Sequence, residues 1–366
     1  MAERGRRKAR RQFFKAAGAL AGVVFLGNLG CKRAEERRAG AARGPARAPA
    51  RKVRPPRVAP VGTAPPVAQR SKVCLVRSAR LVKNEFELRE EVVCEVLERG
   101  ICELLGEDEG KRAWLSLFSP EDAIGIKVNC LAGPRFCTHP DMVAGLVRCL
   151  ANAGISPGNV VIWDRRDGEL AHCGFEVRHA AEEGKPLCYG NDAPGAGFGK
   201  PTSSGIWRGR LSRILTEHTN ALINCPVAKD HSIAGLTLAL KNHYGTIDNP
   251  SQYHGKRVHR AIADVNAHPE IKRRTRLVVV DLVHGVCQGG PGGDERFAFC
   301  MEGFLMSCDP VAADAVGRKI LDEQRKKMKL APLGECGREP QHIALAAEQG
   351  LGNAAEANIE ISEVVV

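Results

Sequence analysis

No two of the chain's 14 cysteines form a Cys-x-x-Cys pair: the closest, Cys130 with Cys137, Cys94 with Cys102 and Cys300 with Cys308, stand seven or eight residues apart. That spacing supports neither a zinc ribbon nor a ferredoxin-type cluster run. Cys94 and Cys149 fall inside apolar helical patterns, where a thiol behaves as a small hydrophobe. Disulfide pairing stays open, because a sequence fixes no connectivity. Also missing are a Gly-x-Ser-x-Gly elbow, a P-loop, a dinucleotide-binding glycine fingerprint and two histidines four apart around a glutamate. These absences argue against an ordinary serine hydrolase, a P-loop nucleotide site and a zincin.

Acidic residues are scarce at one end. Residues 1–72 hold 19 Lys/Arg against 3 Asp/Glu, a net of +16, so the formal +12 of the whole chain leaves −4 for the remainder. A basic stripe on a folded domain marks nucleic-acid binding. Here the excess belongs to the leading segment, and nucleic acid is not an expected partner. With 366 residues, 43% of them hydrophobic, the chain has apolar material for one large core or two small ones.

Arg10-Arg11-Gln12-Phe13-Phe14-Lys15 sets two arginines ahead of an aromatic pair and a lysine, and the Ala/Gly-rich stretch Ala16 to Leu29 follows. The order basic, apolar, small is that of an export signal, and this one resembles the twin-arginine type. The stretch is too short and too glycine-rich for a membrane span, which takes about 20 apolar residues. Residues 1–31 are therefore expected to be a signal segment read by the twin-arginine export machinery through Arg10 and Arg11. Leu29-Gly30-Cys31 makes Cys31 the candidate lipid-attachment residue, although Asn28 stands where a lipobox has an aliphatic one, and cleavage at Ala48-Pro49-Ala50 is the rival. Residues 32–71, rich in Arg, Ala, Pro and Gly, are expected to be a disordered basic linker, with anionic lipid as a surface for its charge. These readings place the protein in the periplasm or on the outer face of the cytoplasmic membrane, with a lipid anchor left open.

Residues 72–366 read as a single α/β domain. Ile124, Ile126 and Val128 alternate with Gly125, Lys127 and Asn129, the period of a strand. Thr138 and Asp141 follow at capping-box spacing, then Val143, Leu146, Val147 and Leu150 at helical spacing, and Gly154 supplies a stop. Val160 to Trp163 reads as a buried strand, closing a β-α-β unit with parallel strands. Ala221 to Ile223 and Leu277 to Val280 have the length and β-branched content of two more central strands. The expected fold is a mainly parallel sheet with helices on both faces, Rossmann-like but without a dinucleotide fingerprint. Asn129, Asp164, Asn224 and Asp281 stand where these strands are expected to end, and ligands of open α/β sheets bind beyond the carboxyl ends.

Asn224-Cys225-Pro226-Val227-Ala228-Lys229-Asp230-His231, leading into Leu236 to Gly245 with Lys241-Asn242-His243, resembles the domain-of-unknown-function 362 family. Three more stretches resemble it: Ile126 to Asn129 with its helix, Asp281 through the Gly289-Gly290-Pro291-Gly292-Gly293 loop, and Ser307 to Asp314. Asp230 departs from the pattern, in which a small hydroxyl residue stands between the lysine and the histidine. The lack of a ferredoxin-type run is a second departure, so no iron–sulfur role carries over. What the resemblance implies is a fold and a site, not a reaction.

Lys229 and His231 read as lying between a strand end and a helix start near Ser232, where free N–H groups and the helix dipole favour a carboxylate or phosphate. Lys229, His231 and Asp281 are the candidate catalytic residues, Asp281 as a base. Lys127, Asn129, Asn224, Lys241 and Asn242 are candidate ligand contacts, although Lys241 reads equally well as a cation in the last turn of an apolar helix. The Gly289–Gly293 loop has the makings of an anion nest, and Asp309-Pro310 reads as a helix N-cap. His231, His243, His254, His259 and His284 are numerous enough for a metal, yet their spacing names no ligand set, so metal and cofactor stay unassigned. Two functions fit: an exported enzyme acting on a small anionic ligand, or a non-catalytic metal- or cofactor-binding module of the cell envelope.

Overall fold

The computed structural model describes residues 52–62, 64–84 and 87–366, so Arg10, Arg11 and Cys31 lie outside it. Eleven strands form one mixed sheet. In chain order they are β1 (Ser71–Arg77), β2 (Ile124–Lys127), β3 (Val160–Trp163), β4 (Leu187–Cys188), β5 (Ala221–Asn224), β6 (Val227–His231), β7 (Gly235–Thr237), β8 (Thr275–Val286), β9 (Ala298–Phe299), β10 (Gly303–Ser307) and β11 (Ile359–Val365). Eight run side by side as β11-β1-β10-β8-β5-β2-β3-β4, while β6 and β9 pair with β8, and β7 with β6. From β8 to β4 every neighbour is parallel, and β10 is antiparallel to both β8 and β1.

The helices that matter for the site are α1 (Glu90–Leu105), α2 (Pro140–Asn152), α3 (Asp167–His172), α4 (Ala239–Asn242), α5 (Val258–Asn266), α6 (Pro310–Lys327) and α7 (His342–Glu348). Alternate strand residues enter opposite cores. Val160 and Ile162 pack with Val93 and Leu97 of α1 and Leu146 of α2, whereas Val161 and Trp163 join Ile262 of α5 and Val316 of α6. Burial on both faces is why these strands read as unbroken apolar runs. Successive parallel strands need a crossover, and α2 supplies it between β2 and β3.

Two local expectations change. Thr138 and Asp141 do not form a capping box: α2 starts on Pro140 after His139 with no side-chain cap. Thr138 Oγ1 instead donates to the Cys225 carbonyl at 2.7 Å, and Asp141 accepts from Leu88 N at 2.8 Å. Long-range partners outbid the local ones because both side chains face neighbouring elements. The expected linker also ends earlier than residue 71. Val53 is buried and its N–H bonds Pro194 O at 2.7 Å, while Asn220 Nδ2 donates to Pro60 O at 3.3 Å. A segment too polar to form a core of its own can still lie extended on a core already made. Among the described residues no helix is long and apolar enough to cross a membrane.

Candidate functional site

Register brings the strand ends level. Lys127 pairs with Trp163 on one side and Asn224 on the other, and Asn224 with Val278. Beyond this line the polar side chains join one network. Lys229 Nζ donates to Asn129 Oδ1 at 2.7 Å and to Phe136 O at 3.0 Å. Asn129 Nδ2 donates to Asn242 Oδ1 at 3.0 Å, and Asn242 Nδ2 to Asn224 Oδ1 at 2.7 Å. Alongside, Lys127 Nζ donates to Asp164 Oδ1 at 2.6 Å, and Asp164 Oδ2 accepts from Cys130 N at 2.7 Å. Gly245 is needed here, since a Cβ would come within 2.8 Å of Lys127 Nζ. All of these side chains are buried, so the network is a satisfied floor. Burial lowers the Lys229 ammonium to about 8.

Three expectations are corrected. Lys229 and His231 do not precede a helix; they lie on β6, which turns back into β7. His231 Nδ1 accepts from both Ile233 N and Ala234 N at 3.1 Å, so the ring itself closes the turn where a helix was expected. Asp281 is not at a strand end, because β8 continues to Val286. Its carboxylate accepts from His139 N and Nδ1, each at 2.8 Å, and from Val283 N at 2.9 Å. Burial alone would raise it, but His139 outweighs burial and holds it low, so the carboxylate is engaged by His139 and Val283. The Gly289–Gly293 loop takes an anion of the chain's own: Gly290 N donates to Asp230 Oδ1 at 2.5 Å, and Arg338 Nη1 to Asp230 Oδ2 at 2.6 Å.

A second group stands beside the floor. Lys241 Nζ donates to His254 Nε2 at 3.2 Å and lies 3.7 Å from the Tyr244 ring centre. His254 donates through Nδ1 to Pro250 O at 2.9 Å, which leaves Nε2 as the acceptor. His231 stacks on His254 with centroids 5.8 Å apart. Next to them His259 and His342 stack, Nδ1 to Nδ1 at 3.4 Å, and His342 Nε2 is 3.9 Å from Asp314 Oδ2. The group grades from buried Asp314 and His342 to half-buried His259 and exposed His254. Burial lowers Lys241 to about 7 and, with Lys241 nearby, His231 to about 3. Burial also pushes Asp314 up to about 8, against the Ala239 and Leu240 N–H groups that it accepts from, and pushes His342 down. His342 and Asp314 are the members that sequence reasoning did not single out for the site; no spacing links residues 28 apart, and only α6 beside α7 brings them together. His284 and His243 lie elsewhere, near Glu295 and Asn224 respectively.

Asp309 is the N-cap of α6, accepting from Val311 N and Ala312 N. A cavity of about 850 Å³ opens at the opposite edge, where β1 and β8 begin, lined by Val67, Leu104, Leu117, Ile271 and Leu351 and by none of the candidate residues. Among the described residues no group of three or more His, Cys, Asp and Glu side chains is arranged to hold a metal ion.

A search of curated proteins finds no match. A solved protein from Thermotoga maritima is similar at 12% identity and a TM-score of 0.33, over 67% of this chain and 60% of that one. This chain therefore spans less than two thirds of that protein's length. Residues 124–319 match the family model described as domain of unknown function (DUF362), a span that holds the floor network, Lys241 and Asp314. The chain belongs to the DUF362 family.

Proposed function

We propose that the protein is an exported enzyme acting on a small ligand that carries a carboxylate or phosphate, held over Lys241 at the carboxyl edge of the sheet. The observation that carries this reading is the company Lys241 keeps. Lys241 is 6% exposed, and among the described residues its ammonium has one hydrogen-bond acceptor and pairs with no carboxylate. An unpaired buried cation is costly, and an anion would supply the missing charge. Lowered to about 7, Lys241 itself can give and take the proton of a bound acid near neutral pH, and the neutral imidazoles of His231 and His254 beside it add no competing charge. Lys229, Asn129, Asn242 and Asn224 position β6 and α4 beneath. Export rests on Arg10 and Arg11 and the segment after them, with the twin-arginine machinery as partner and Cys31 as the residue for a lipid anchor.

The test is a thermal-shift titration with inorganic phosphate, acetate and citrate. At about pH 6 Lys241 is charged and at least one anion should stabilise the fold, by about 2.7 kcal/mol at a hundredfold excess over the dissociation constant. Because the free ammonium loses its proton near 7, binding should weaken by about pH 9, where each complex must take up a proton. Lys241→Met should abolish the shift. Absence of any shift in the wild type, or an undiminished one in Lys241→Met, would overturn the reading.

A further inference from the structure

The cavity at the edge where β1 and β8 begin takes no part in the site described above, and its walls are chemically uniform. Leu104, Leu117, Ile271 and Leu351 are buried around it, and among the described residues that line it there is no aromatic side chain. The buried polar side chains of its lining already have partners in the protein. Ser71 Oγ donates to Asp309 Oδ2 at 2.5 Å, and Asp309 also accepts from Val311 N, Ala312 N and Asn353 N. Asn266 Nδ2 donates to Leu240 O and Ile262 O, and Thr275 Oγ1 to Ile271 O. What the interior offers a ligand is therefore apolar contact. The wall made by Ala64 to Arg70 is held by Asn353 Nδ2, which donates to Ala68 O at 2.9 Å. The rim carries one sign of charge: Arg70, Lys72, Lys272 and Arg273 are exposed, while Asp309, the one carboxylate among the lining residues, is buried and bonded. Arg273 pairs with Glu270, and Lys272 Nζ donates to Gly350 O at 3.3 Å. Among the described residues Arg70, Lys72 and Lys272 pair with no carboxylate. Packed interiors leave few voids larger than a water molecule, and ligand pockets hold about 300–1,000 Å³, so a space of about 850 Å³ is of ligand size.

We propose that this cavity binds a long-chain fatty acid, with the alkyl chain between Leu104, Leu117, Ile271 and Leu351 and the carboxylate at the rim with Arg70, Lys72 and Lys272. Aliphatic walls with no ring to stack on suit an unbranched chain better than a flat aromatic ligand. Burial of the chain supplies the affinity. The three unpaired cations supply the sign of the head group and its place at the mouth, where the carboxylate keeps its contact with water and no charge has to be buried. A small polar anion, by contrast, has nothing with which to fill an apolar space. The inference is independent of what binds over Lys241, because neither Lys241 nor its partners line the cavity.

The full chain is titrated with cis-parinaric acid, a fatty acid whose fluorescence rises when it leaves water, and the bound probe is competed with octanoate, decanoate, dodecanoate and dodecyltrimethylammonium below their micelle concentrations. The probe should bind, and each CH2 added to the competing acid should strengthen competition about fourfold. Dodecanoate should compete at least about tenfold better than the ammonium of the same chain length. No fluorescence gain, competition that ignores chain length, or an ammonium as effective as the acid would each overturn the proposal. Because the apolar stretch Ala16 to Leu29 offers the probe a second place, two variants locate the binding. Lys72→Glu combined with Lys272→Glu should weaken dodecanoate about tenfold at low salt and less at high salt. Ala267→Trp, which adds bulk to a wall of the cavity, should remove the displaceable fraction of the probe. Wild-type affinity in either variant, once its melting curve shows that it folds, would refute the site. Should Ala267→Trp fail to fold, the double variant decides alone, since both of its positions are exposed.

Discussion

Lysines 229 and 241 show how far residue type alone can mislead. Both stand in the stretch that carries the family resemblance, and both are buried, but Lys229 has its partners in place while Lys241 keeps directions open. Lys229→Ala should therefore act on stability first. It orphans Asn129 Oδ1 and Phe136 O, and each buried acceptor left unpaired costs about 1–3 kcal/mol. Chemical denaturation should show a loss of about 2–6 kcal/mol for the two acceptors, whereas an unchanged midpoint would mean that water replaces the ammonium at no cost. Which residues gather was partly legible: the strand-end argument names Asn129, Asp164 and Asn224, and register and hydrogen bonds bring Lys127, Lys229 and Asn242 to them. Their division into a paired floor and an open group was not, because a sequence shows residue types and not which donors are already taken. The engagement of Asp281 was illegible for the same reason, its hydrogen-bonding partner His139 being 142 residues away.

Elements were easier to read than contacts, provided that tertiary contacts did not rewrite them. The unbroken apolar content of β3 and β8 and the helical spacing of α2 survive because both faces of the sheet are covered. The hairpin of β6 and β7 was misread because its turn is made by a histidine side chain and by Gly235 at φ +79°, neither of which follows a turn pattern seen in spacing. Close packing of α1 on α2 depends on Gly145, where an added Cβ would run into Val93 Cγ1. Interiors packed this tightly yield little. Gly145→Val should destabilise the domain by about 1–3 kcal/mol through overpacking, while Gly154→Ala, which has open space for a Cβ, should cost only the strain of its left-handed backbone. A melting temperature for Gly145→Val equal to wild type would show that the two helices slide apart freely.

At the scale of the whole molecule, composition divides the chain into a basic first part and a mildly acidic remainder, yet it misplaces the start of the folded part. Charge and proline content show that a segment cannot build a core, and they are silent on whether it can rest on one. Residues from 52 onward are tied to the domain at Val53 and Pro60, and Ala64 to Arg70 form one wall of the cavity at the amino-terminal edge. A chain that begins at Lys52 should melt at the same temperature as one that carries the leader. A chain that begins at Ser71 loses the buried Val53 side chain, worth about 1.5–3 kcal/mol by apolar area, and leaves Asn220 Nδ2 without its Pro60 acceptor. Its melting temperature should fall by several degrees, and limited proteolysis of the longer chain should stop short of Val53 and spare the bonds up to Ser71. Equal melting temperatures for the two truncations, or rapid cutting between residues 53 and 70, would return that stretch to the linker. The phosphate titration supplies an internal control, because the segment's hydrogen bonds go to Pro194, His179, Asn220 and Asn353 and not to Lys241 or its neighbours: both truncated chains should keep whatever anion response the full chain shows, even as the shorter one loses stability.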